Sequence, residues 1–501
     1  MAARKPAPRT SRTYPLEVQA TAAKPLGMAP ATFLRDYWQK RPLLIRSALP
    51  DFQTPVMPED LAGLACEDGV LARLIEHDRA QEGWRVRTGP FAESVFPALP
   101  DRDWTLLVQD VDKWDPDVRA LIGHFSFLPR WRMDDVMISY AAPGGSVGPH
   151  VDQYDVFLLQ GHGHRRWEID ASESVRGKRP PLAFRPDVEL KLLQKFKATH
   201  AWVLAPGDML YLPPNVPHNG VAEDACLTYS FGMRAPASSE LISDYLDTLV
   251  ADADEAIRYQ DPDLKLPEDP NEIDTAAMNR VVAALNAIRM NDPDKLGDWF
   301  GRFITTYRAA GEVMPSGPAA STAEIEHGLE HGLLLERHPW ARLAWRRAAR
   351  GASLYCSGLD LAVPVKDAQR LCAAERLDGT AWRALSAKGR AALEELMALG
   401  FYQLTDPTAQ DEDEDEGHPH DADDAAGDSA AVDAPGVIDG TAQVQTVDAS
   451  DFDDGVREVN VHEDGVEVVI SFDEEDEDED EAREEGAPTA QSDGRAPRRD
   501  H

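Results

Sequence analysis

Short apolar runs separated by Pro, Gly and Asn mark the chain from Asp135 to Pro236. Many short strands joined by such turns are typical of an antiparallel barrel or a double-sheet jelly roll. A helix over 31–40 and a strand over 43–46 are predicted before this stretch, with mixed segments in between. The predicted strands are Val136–Ala141, Asp155–Leu159, Arg166–Ile169, Ala201–Leu204, Met209–Leu212 and Leu227–Phe231.

Helical periodicity replaces this pattern after Ser238. Apolar residues recur at spacings of three and four over 241–249, which indicates an amphipathic helix, and similar stretches cover 281–290 and 296–307. Their apolar faces must be buried, either on the barrel or on a second copy of the chain. The stretch 313–404 mixes helices and short strands, as in a winged helix. Its predicted elements are Glu324–Leu335, Ala352–Cys356, Lys366–Ala374, Gly389–Leu399 and Phe401–Leu404.

The formal charge of −38 is concentrated near the C-terminus. From Asp406 onward the chain carries 34 acidic and 5 basic residues, a net of −29, so the first 405 residues carry only −9. Such acidic low-complexity sequence cannot bury enough apolar surface to fold. We therefore predict an acidic disordered tail over 405–501, in which only 456–472 alternates like a β-hairpin. Residues 1–26 are predicted to be a flexible basic arm.

The four cysteines lie far apart and form no CxxC pair. Free thiols in a chain of this size favour a reducing compartment over a disulfide framework. The sequence has no apolar leader and no apolar run of about eighteen residues, so neither a signal peptide nor a membrane span is predicted. These features predict a cytoplasmic protein.

Two histidines and a carboxylate form the candidate metal site. His150 and Asp152 follow a Gly- and Pro-rich lead-in, and on a strand two residues at this spacing point to the same face. A third ligand is offered by His218, which ends a strand and a Pro-rich turn over 206–217. Two histidines and one carboxylate leave three positions of an octahedral metal open, as in non-haem iron(II) oxygenases. Iron(II), a bidentate 2-oxo acid and dioxygen are therefore predicted.

A 2-oxo acid with a distal carboxylate also needs a fixed cation. Arg165 and Arg166 open a predicted strand, and the arginine fork suits a carboxylate. Because side chains alternate along a strand, only one of the two can face inward. Ser139 and Tyr140, on the strand before the metal loop, are candidates for a hydroxyl contact to the same carboxylate.

At these residues the sequence resembles the bacterial ribosomal oxygenases of the JmjC/cupin superfamily, arginine hydroxylases that act on a large-subunit ribosomal protein. The resemblance covers the chain from about Met28 to Leu404. It is carried by Phe33–Arg46, Trp104–Gln109, Gly148–Phe157, Pro206–His218 and Tyr229–Pro236.

The resemblance implies a mixed α/β, multidomain chain. It implies a JmjC-type double-stranded β-helix over 27–236, a helical dimerisation region over 237–312 and a winged-helix-like domain over 313–404. It also implies iron at His150, Asp152 and His218, and 2-oxoglutarate held through Arg165. Ala141 and Ala142 replace a serine that such enzymes often carry.

For an arginine substrate, a carboxylate must orient the guanidinium, and Asp155 is a candidate for that role, with strand capping as its alternative. The expected partners are a large-subunit ribosomal protein and a second copy of the chain, without direct nucleic-acid binding. The alternatives are histidyl hydroxylation or lysyl demethylation of another protein, a metal-binding cupin that is not an oxygenase, and an assembly factor with a degenerate site.

Overall fold

The structure is a computed structural model. It describes residues 14–172, 182–188, 190–251, 253–254, 258–266, 269–287, 292–306, 313–315, 320–407, 459–462 and 465–468. Residues 1–13 of the predicted basic arm lie outside the described residues, as does most of the predicted acidic tail. Residues 14–26 are described, and the prediction of a flexible arm is wrong there: Glu17–Gln19 form a strand that pairs with Leu44–Arg46, and Ala20 and Leu26 are buried.

Two facing sheets form the part of the chain that holds the candidate site. The larger sheet has the strand order β1-β2-β10-β7-β12-β6-β5-β3-β4, and the smaller has the order β11-β8-β9. Apart from the parallel β1–β2 pair, the pairings are antiparallel. The strands are β1 (Glu17–Gln19), β2 (Leu43–Arg46), β3 (Ala72–Asp78), β4 (Gly83–Thr88), β5 (Trp104–Val108), β6 (Met133–Ala141), β7 (Val156–His162), β8 (Arg165–Ile169), β9 (His200–Leu204), β10 (Met209–Leu212), β11 (His218–Ala222) and β12 (Cys226–Met233).

Alternation along the strands gives the larger sheet two buried faces. Leu158 and Leu210 point toward the smaller sheet and pack with Trp167 and Ile169 of β8. Their neighbours Phe157, Leu159 and Tyr211 point the other way, into a larger core with helices on its outside. Those helices are α1 (Pro30–Asp36), α2 (Pro58–Leu64), α3 (Val111–Trp114) and α4 (Pro116–Leu121). This is the predicted double-stranded β-helix.

The structure departs from the sequence prediction at several element boundaries. The first helix ends at Asp36 rather than residue 40, because Gln39 adopts a φ of 54° that an α-helix cannot continue through. Strands β3, β4 and β5 were not predicted; in β3, charged residues such as Arg73 and Glu76 interrupt the apolar pattern. Strand β11 was also missed, and it begins at the candidate ligand His218.

Three helices follow the β-helix: α5 (Ser238–Ala251), α6 (Thr275–Ala287) and α7 (Pro293–Thr305). Helices α5 and α7 share a small core of Tyr245, Leu249, Trp299, Phe303 and Ile304. The last three residues of the predicted helix over 281–290 lie outside the described residues.

A second globular core follows, built from short strands and helices around residues such as Leu354, Trp382 and Leu393. Its strands form two antiparallel sheets, with the orders β17-β13-β18 and β14-β15-β16. The predicted winged-helix pattern is confirmed. The elements are α8 (Thr322–Glu330), β13 (Leu334–Arg337), β14 (Leu343–Arg347), β15 (Ala352–Cys356), β16 (Leu359–Val363), α9 (Val365–Ala373), β17 (Arg376–Leu377), α10 (Gly379–Arg383), α11 (Ala387–Ala398) and β18 (Tyr402–Thr405).

Residues 419–501 form a separate unit. Within it the structure describes one antiparallel pair, β19 (Val459–His462) and β20 (Gly465–Val468), where the alternating pattern predicts a hairpin. Among the described residues of the whole chain, no helix has both the length and the apolar character needed to cross a bilayer.

Candidate active site

The backbone brings the three candidate ligands together across two segments. His150 and His218 form an isolated β-bridge, in which each amide nitrogen donates to the other residue's carbonyl oxygen at 3.0 Å. The carbonyl of Asp152 accepts from the Asn215 amide at 2.7 Å, which ties the loop after His150 to the turn before His218. His150 and Asp152 therefore lie in a bridged loop, not in the regular strand that their spacing suggested.

Side-chain geometry brings the candidate ligand atoms to one point. A nitrogen from each imidazole and an oxygen from the carboxylate all lie within 4.8 Å of one another. Nε2 of His218 is 3.5 Å from Oδ2 of Asp152, and Nε2 of His150 is 3.9 Å from Oδ1. Among the described residues, this is the one group of three or more such side chains that could hold a metal ion.

Backbone carbonyls set the tautomer of both imidazoles. Nδ1 of His150 lies 2.9 Å from the Gly148 carbonyl oxygen, and Nδ1 of His218 lies 2.8 Å from that of Val216. Each Nδ1 must carry the proton to donate there, which leaves the Nε2 lone pair free for a metal. Burial lowers the pKa of His218 to about 4, assisted by His150, so this ring stays neutral at physiological pH. The residues therefore fit a divalent metal with two nitrogen ligands and one oxygen ligand.

A buried arginine lies in the same cavity. Arg165 is 2% exposed, and no carboxylate of the described residues pairs with it. Its guanidinium donates to Ser139 Oγ and to the Gly220 carbonyl oxygen, both at 3.2 Å, while its Nε has no hydrogen-bond partner. Burial lowers its pKa. An isolated buried cation is costly, so this guanidinium is suited to an incoming anion.

Strand alternation determines which of the other predicted 2-oxoglutarate contacts, Arg166, Ser139 and Tyr140, face the cavity. Arg166 points outward and pairs with Glu223 at 2.5 Å. Ser139 is buried, lines the cavity and contacts Arg165. Tyr140 faces the other side of β6, where it packs against Trp104 with ring centroids 5.3 Å apart. The structure therefore does not bring Tyr140 to the cavity.

The cavity has a volume of about 630 Å³, within the usual range for a small-molecule site. Its walls include Asp110, Asp134 and Asp135 as well as Tyr154, none of which was predicted as a site residue. Burial raises the pKa of Asp135 to about 8, and the negative charges of the other two aspartates and Asp112 add to this effect. A carboxyl group with a pKa so strongly perturbed, in a cavity beside the metal triad, is a candidate functional residue.

Sequence reasoning could have found Asp135. It precedes the predicted strand 136–141 and shares the parity of Ser139, so both lie on the cavity face of β6. Gly232 on the adjacent strand makes room for it, because a side chain there would have its Cβ 2.9 Å from Asp135 Oδ1.

Asp155 lies elsewhere. It is fully buried and is not among the cavity-lining residues. Its carboxylate accepts hydrogen bonds from the Tyr211 hydroxyl at 2.6 Å and the Gln39 side-chain amide at 2.9 Å, and it pairs with Arg132 at 3.4 Å. The structure therefore gives Asp155 a set of internal partners at the start of β7, and does not bring it to the substrate side.

Two family models match the chain. A JmjC domain matches residues 120–241, and a ROXA-like winged helix matches residues 287–403. The chain is 37% identical over 338 residues to the ribosomal protein uL16 3-hydroxylase of Escherichia coli. The aligned region covers 67% of this chain and 86% of the relative. It is 42% identical over 248 residues to a probable ribosomal oxygenase of Haemophilus influenzae, covering 49% of this chain and 57% of that protein.

Solved structures give the same result. The X-ray structure of E. coli YcfD superposes with a TM-score of 0.68 at 33% identity, and the match covers 76% of this chain and 99% of that one. YcfD, described as a ribosomal oxygenase, in complex with cobalt and 2-oxoglutarate matches with a TM-score of 0.65 at 32% identity, with the same coverage.

The fold and the triad define a JmjC-type, iron(II)- and 2-oxoglutarate-dependent oxygenase. The chain belongs to the bacterial ribosomal oxygenases of this class. The resemblance seen in the sequence is thereby confirmed, together with the predicted fold class and cofactors.

Proposed function

We propose that this enzyme hydroxylates an arginine side chain of a large-subunit ribosomal protein. The observation that carries the proposal is Asp135, a cavity carboxylate that has no ion-pair partner among the described residues and shares its cavity with the metal triad and Arg165. A guanidinium supplies the missing cation and can bond a carboxylate through two N–H groups. The relative named as a uL16 3-hydroxylase supports a ribosomal substrate.

In this proposal His150, Asp152 and His218 hold iron(II) through Nε2, a carboxylate oxygen and Nε2. Bound there, iron(II) supplies the redox chemistry that couples decarboxylation of 2-oxoglutarate to transfer of one oxygen atom from dioxygen to a C–H bond. The protein keeps both rings in the tautomer that leaves Nε2 free to bind the metal.

Arg165 receives the distal carboxylate of 2-oxoglutarate. Its burial strengthens a charge-assisted hydrogen bond, because little water competes for either partner. The Ser139 hydroxyl accepts from the Arg165 guanidinium and so fixes the side chain before the co-substrate arrives. Pre-orientation of this kind lowers the entropy cost of binding.

Asp135 and Tyr154 are the proposed substrate contacts. The carboxylate pairs with the guanidinium, and the Tyr154 ring, 44% exposed, offers an aromatic face to the same planar cation. A neutral imidazole gains little from the charges of Asp110, Asp134 and Asp135, so the geometry favours arginine over the histidyl alternative. A methylated lysine lacks the planar fork that a carboxylate matches with two bonds.

The test is mass spectrometry of ribosomal proteins incubated with the iron-loaded enzyme, 2-oxoglutarate and oxygen. Wild type is expected to add one oxygen atom to one arginine of one large-subunit protein. Asp135→Asn is expected to lower kcat/KM for that protein by about 10²-fold, since breaking a buried charge pair costs roughly 2–5 kcal/mol. Oxygen on a histidine, or loss of methyl groups from a lysine, would contradict the proposal and select one of its alternatives.

The same variant has a pH signature. Substrate arginine requires Asp135 ionised, so kcat/KM of the wild type is expected to rise with pH and level off above about 8. In Asp135→Asn this rise of kcat/KM with pH should disappear, because the amide does not titrate. If the rise persists unchanged in the variant, a group other than Asp135 causes it.

We further propose that the enzyme is a homodimer joined through α5 and α6. Both helices present exposed apolar faces, at i, i+4, i+8 spacing in α5 and at i, i+3, i+4, i+7 spacing in α6. Contiguous apolar helix faces of this kind need a partner, and a second copy supplies an identical one. The residues are Ile242, Leu246 and Val250 on α5, and Met278, Val281, Val282 and Leu285 on α6.

Ile242→Glu is expected to convert the dimer to monomer, because the charge would be buried without a partner. Sedimentation velocity at micromolar concentration measures this directly. Ser243→Glu adds the same charge one position along, on the adjacent polar face of α5, and is expected to remain dimeric. Monomeric wild type, or equal disruption by both variants, would contradict the proposed interface.

The remaining expectations follow from charge. A net charge of −38 supports a basic protein partner and disfavours direct binding to ribosomal RNA, whose phosphates are repelled. A free ribosomal protein in the cytoplasm is therefore the proposed form of the substrate.

A further inference from the structure

The winged-helix part of the chain reaches the wall of the active-site cavity through one side chain. Arg342 immediately precedes β14, and its neighbours Ala341 and Leu343 are buried in the winged-helix core. From there Nη2 donates to the carbonyl oxygen of Asp134 at 2.5 Å and to its carboxylate Oδ1 at 2.9 Å. The Arg342 side chain is 14% exposed, whereas the Asp134 side chain is 43% exposed, so water reaches the contact from the Asp134 side.

Asp134 and Asp135 are adjacent on β6, yet they differ in the cations that lie near their carboxylates. Asp134 has Arg342 in direct contact and Arg234 at 3.9 Å, whereas the described residues offer Asp135 no ion pair. Both aspartates line the active-site cavity, and Asp134 also borders a smaller cavity against the winged helix.

The cavity wall therefore carries two carboxylates that an incoming guanidinium can bind, and they differ in whether an arginine of the described residues pairs with them. If Asp134 were unpaired, it would compete with Asp135 for the substrate and would hold the reacting carbon in a second position. A second free negative charge would also disfavour ionisation of Asp135. Pairing with Arg342 removes the competitor, because its positive charge neutralises the Asp134 carboxylate and the same Nη2 also donates to the Asp134 carbonyl oxygen.

We propose that Arg342 is a positioning residue of the oxygenase, which neutralises Asp134 so that Asp135 alone receives the substrate guanidinium. This inference rests on the proposed arginine substrate. It gives the winged helix a role in substrate specificity that involves no nucleic acid. It also means that residues of both the β-helix and the winged helix determine how the cavity wall binds the substrate.

The test compares Arg342→Met with wild type on the full-length, iron-loaded enzyme and its ribosomal protein substrate. The expected result is a fall of about tenfold in kcat for the protein substrate, equivalent to roughly 1.4 kcal/mol, with KM for 2-oxoglutarate retained. KM for the protein substrate should not rise, because substrate held on Asp134 is bound but does not react. Arg342→Lys keeps the positive charge but changes the donor geometry, and we expect an intermediate kcat.

A double-mutant comparison separates positioning from simple support of the fold. In an Asp134→Asn background no competing carboxylate exists at this position, so Arg342→Met should lower kcat little further. Arg347→Met, at the exposed last residue of β14, is the matched control and should behave as wild type.

Unchanged kcat in folded Arg342→Met would overturn the inference. An equal fall in kcat with and without Asp134→Asn would overturn it as well, since Arg342 would then act independently of the Asp134 carboxylate. Failure of wild type to modify any arginine is a separate result, which removes the proposed function and this inference together.

Discussion

Alanine at His150, Asp152 or His218 is expected to abolish metal binding and, with it, the release of succinate from 2-oxoglutarate. Each side chain supplies one of three ligand atoms that lie within 4.8 Å of one another, and two remaining ligands do not hold a labile divalent ion well. We expect kcat/KM to fall by at least about 10³-fold, which corresponds to roughly 4 kcal/mol of activation free energy.

Cobalt(II) titration under anaerobic conditions measures the binding step without turnover. Wild type should gain thermal stability on adding the metal, by about 2.7 kcal/mol at a hundredfold excess over Kd, and the three variants should not. His164→Ala is the matched control, because His164 is exposed and its ring bonds Asp224 at 2.8 Å. Metal-dependent succinate release by His150→Ala would show that iron sits elsewhere.

Replacement of Arg165 by methionine is expected to separate activity from stability. KM for 2-oxoglutarate should rise by roughly 10²-fold or more, since truncating one partner of a buried charge pair costs about 2–5 kcal/mol. The protein without 2-oxoglutarate should become more stable, by roughly 1 kcal/mol or more, because a buried cation that has no carboxylate partner among the described residues gives way to an apolar side chain.

Arg166→Met provides the matched control one residue away. Arg166 is exposed and paired with Glu223, so its loss should leave both KM and the thermal midpoint close to wild type. We expect Arg165→Met, but not Arg166→Met, to lower the affinity for 2-oxoglutarate and to raise the thermal midpoint. Lower stability together with unchanged KM would make Arg165 a structural residue.

The contrast between these two arginines shows where sequence reasoning reached its limit. Alternation requires that one of them faces inward, but it does not say which one, because both parities are possible until the strand is paired. Antiparallel pairing of β8 with β9 and β11 decides it by placing Arg165 toward the cavity.

The carboxylates illustrate the same limit. Asp155 was singled out because it lies three residues after Asp152, but a bend at the start of β7 directs it into a cluster with Gln39, Arg132 and Tyr211. Nearness in sequence to a metal ligand was a poor guide, since the cavity wall comes from strands that are remote in the chain.

The sequence by itself determined the class of fold, the three candidate ligands and the winged-helix pattern, because strand alternation, turn residues and ligand chemistry are local properties. Only the tertiary structure decided that Ser139 faces the cavity and Tyr140 does not, that Asp135 lines the cavity without an ion-pair partner among the described residues, and that Arg342 reaches Asp134 from 208 residues away. Those outcomes depend on strand register and on packing between distant segments, and no local pattern encodes either.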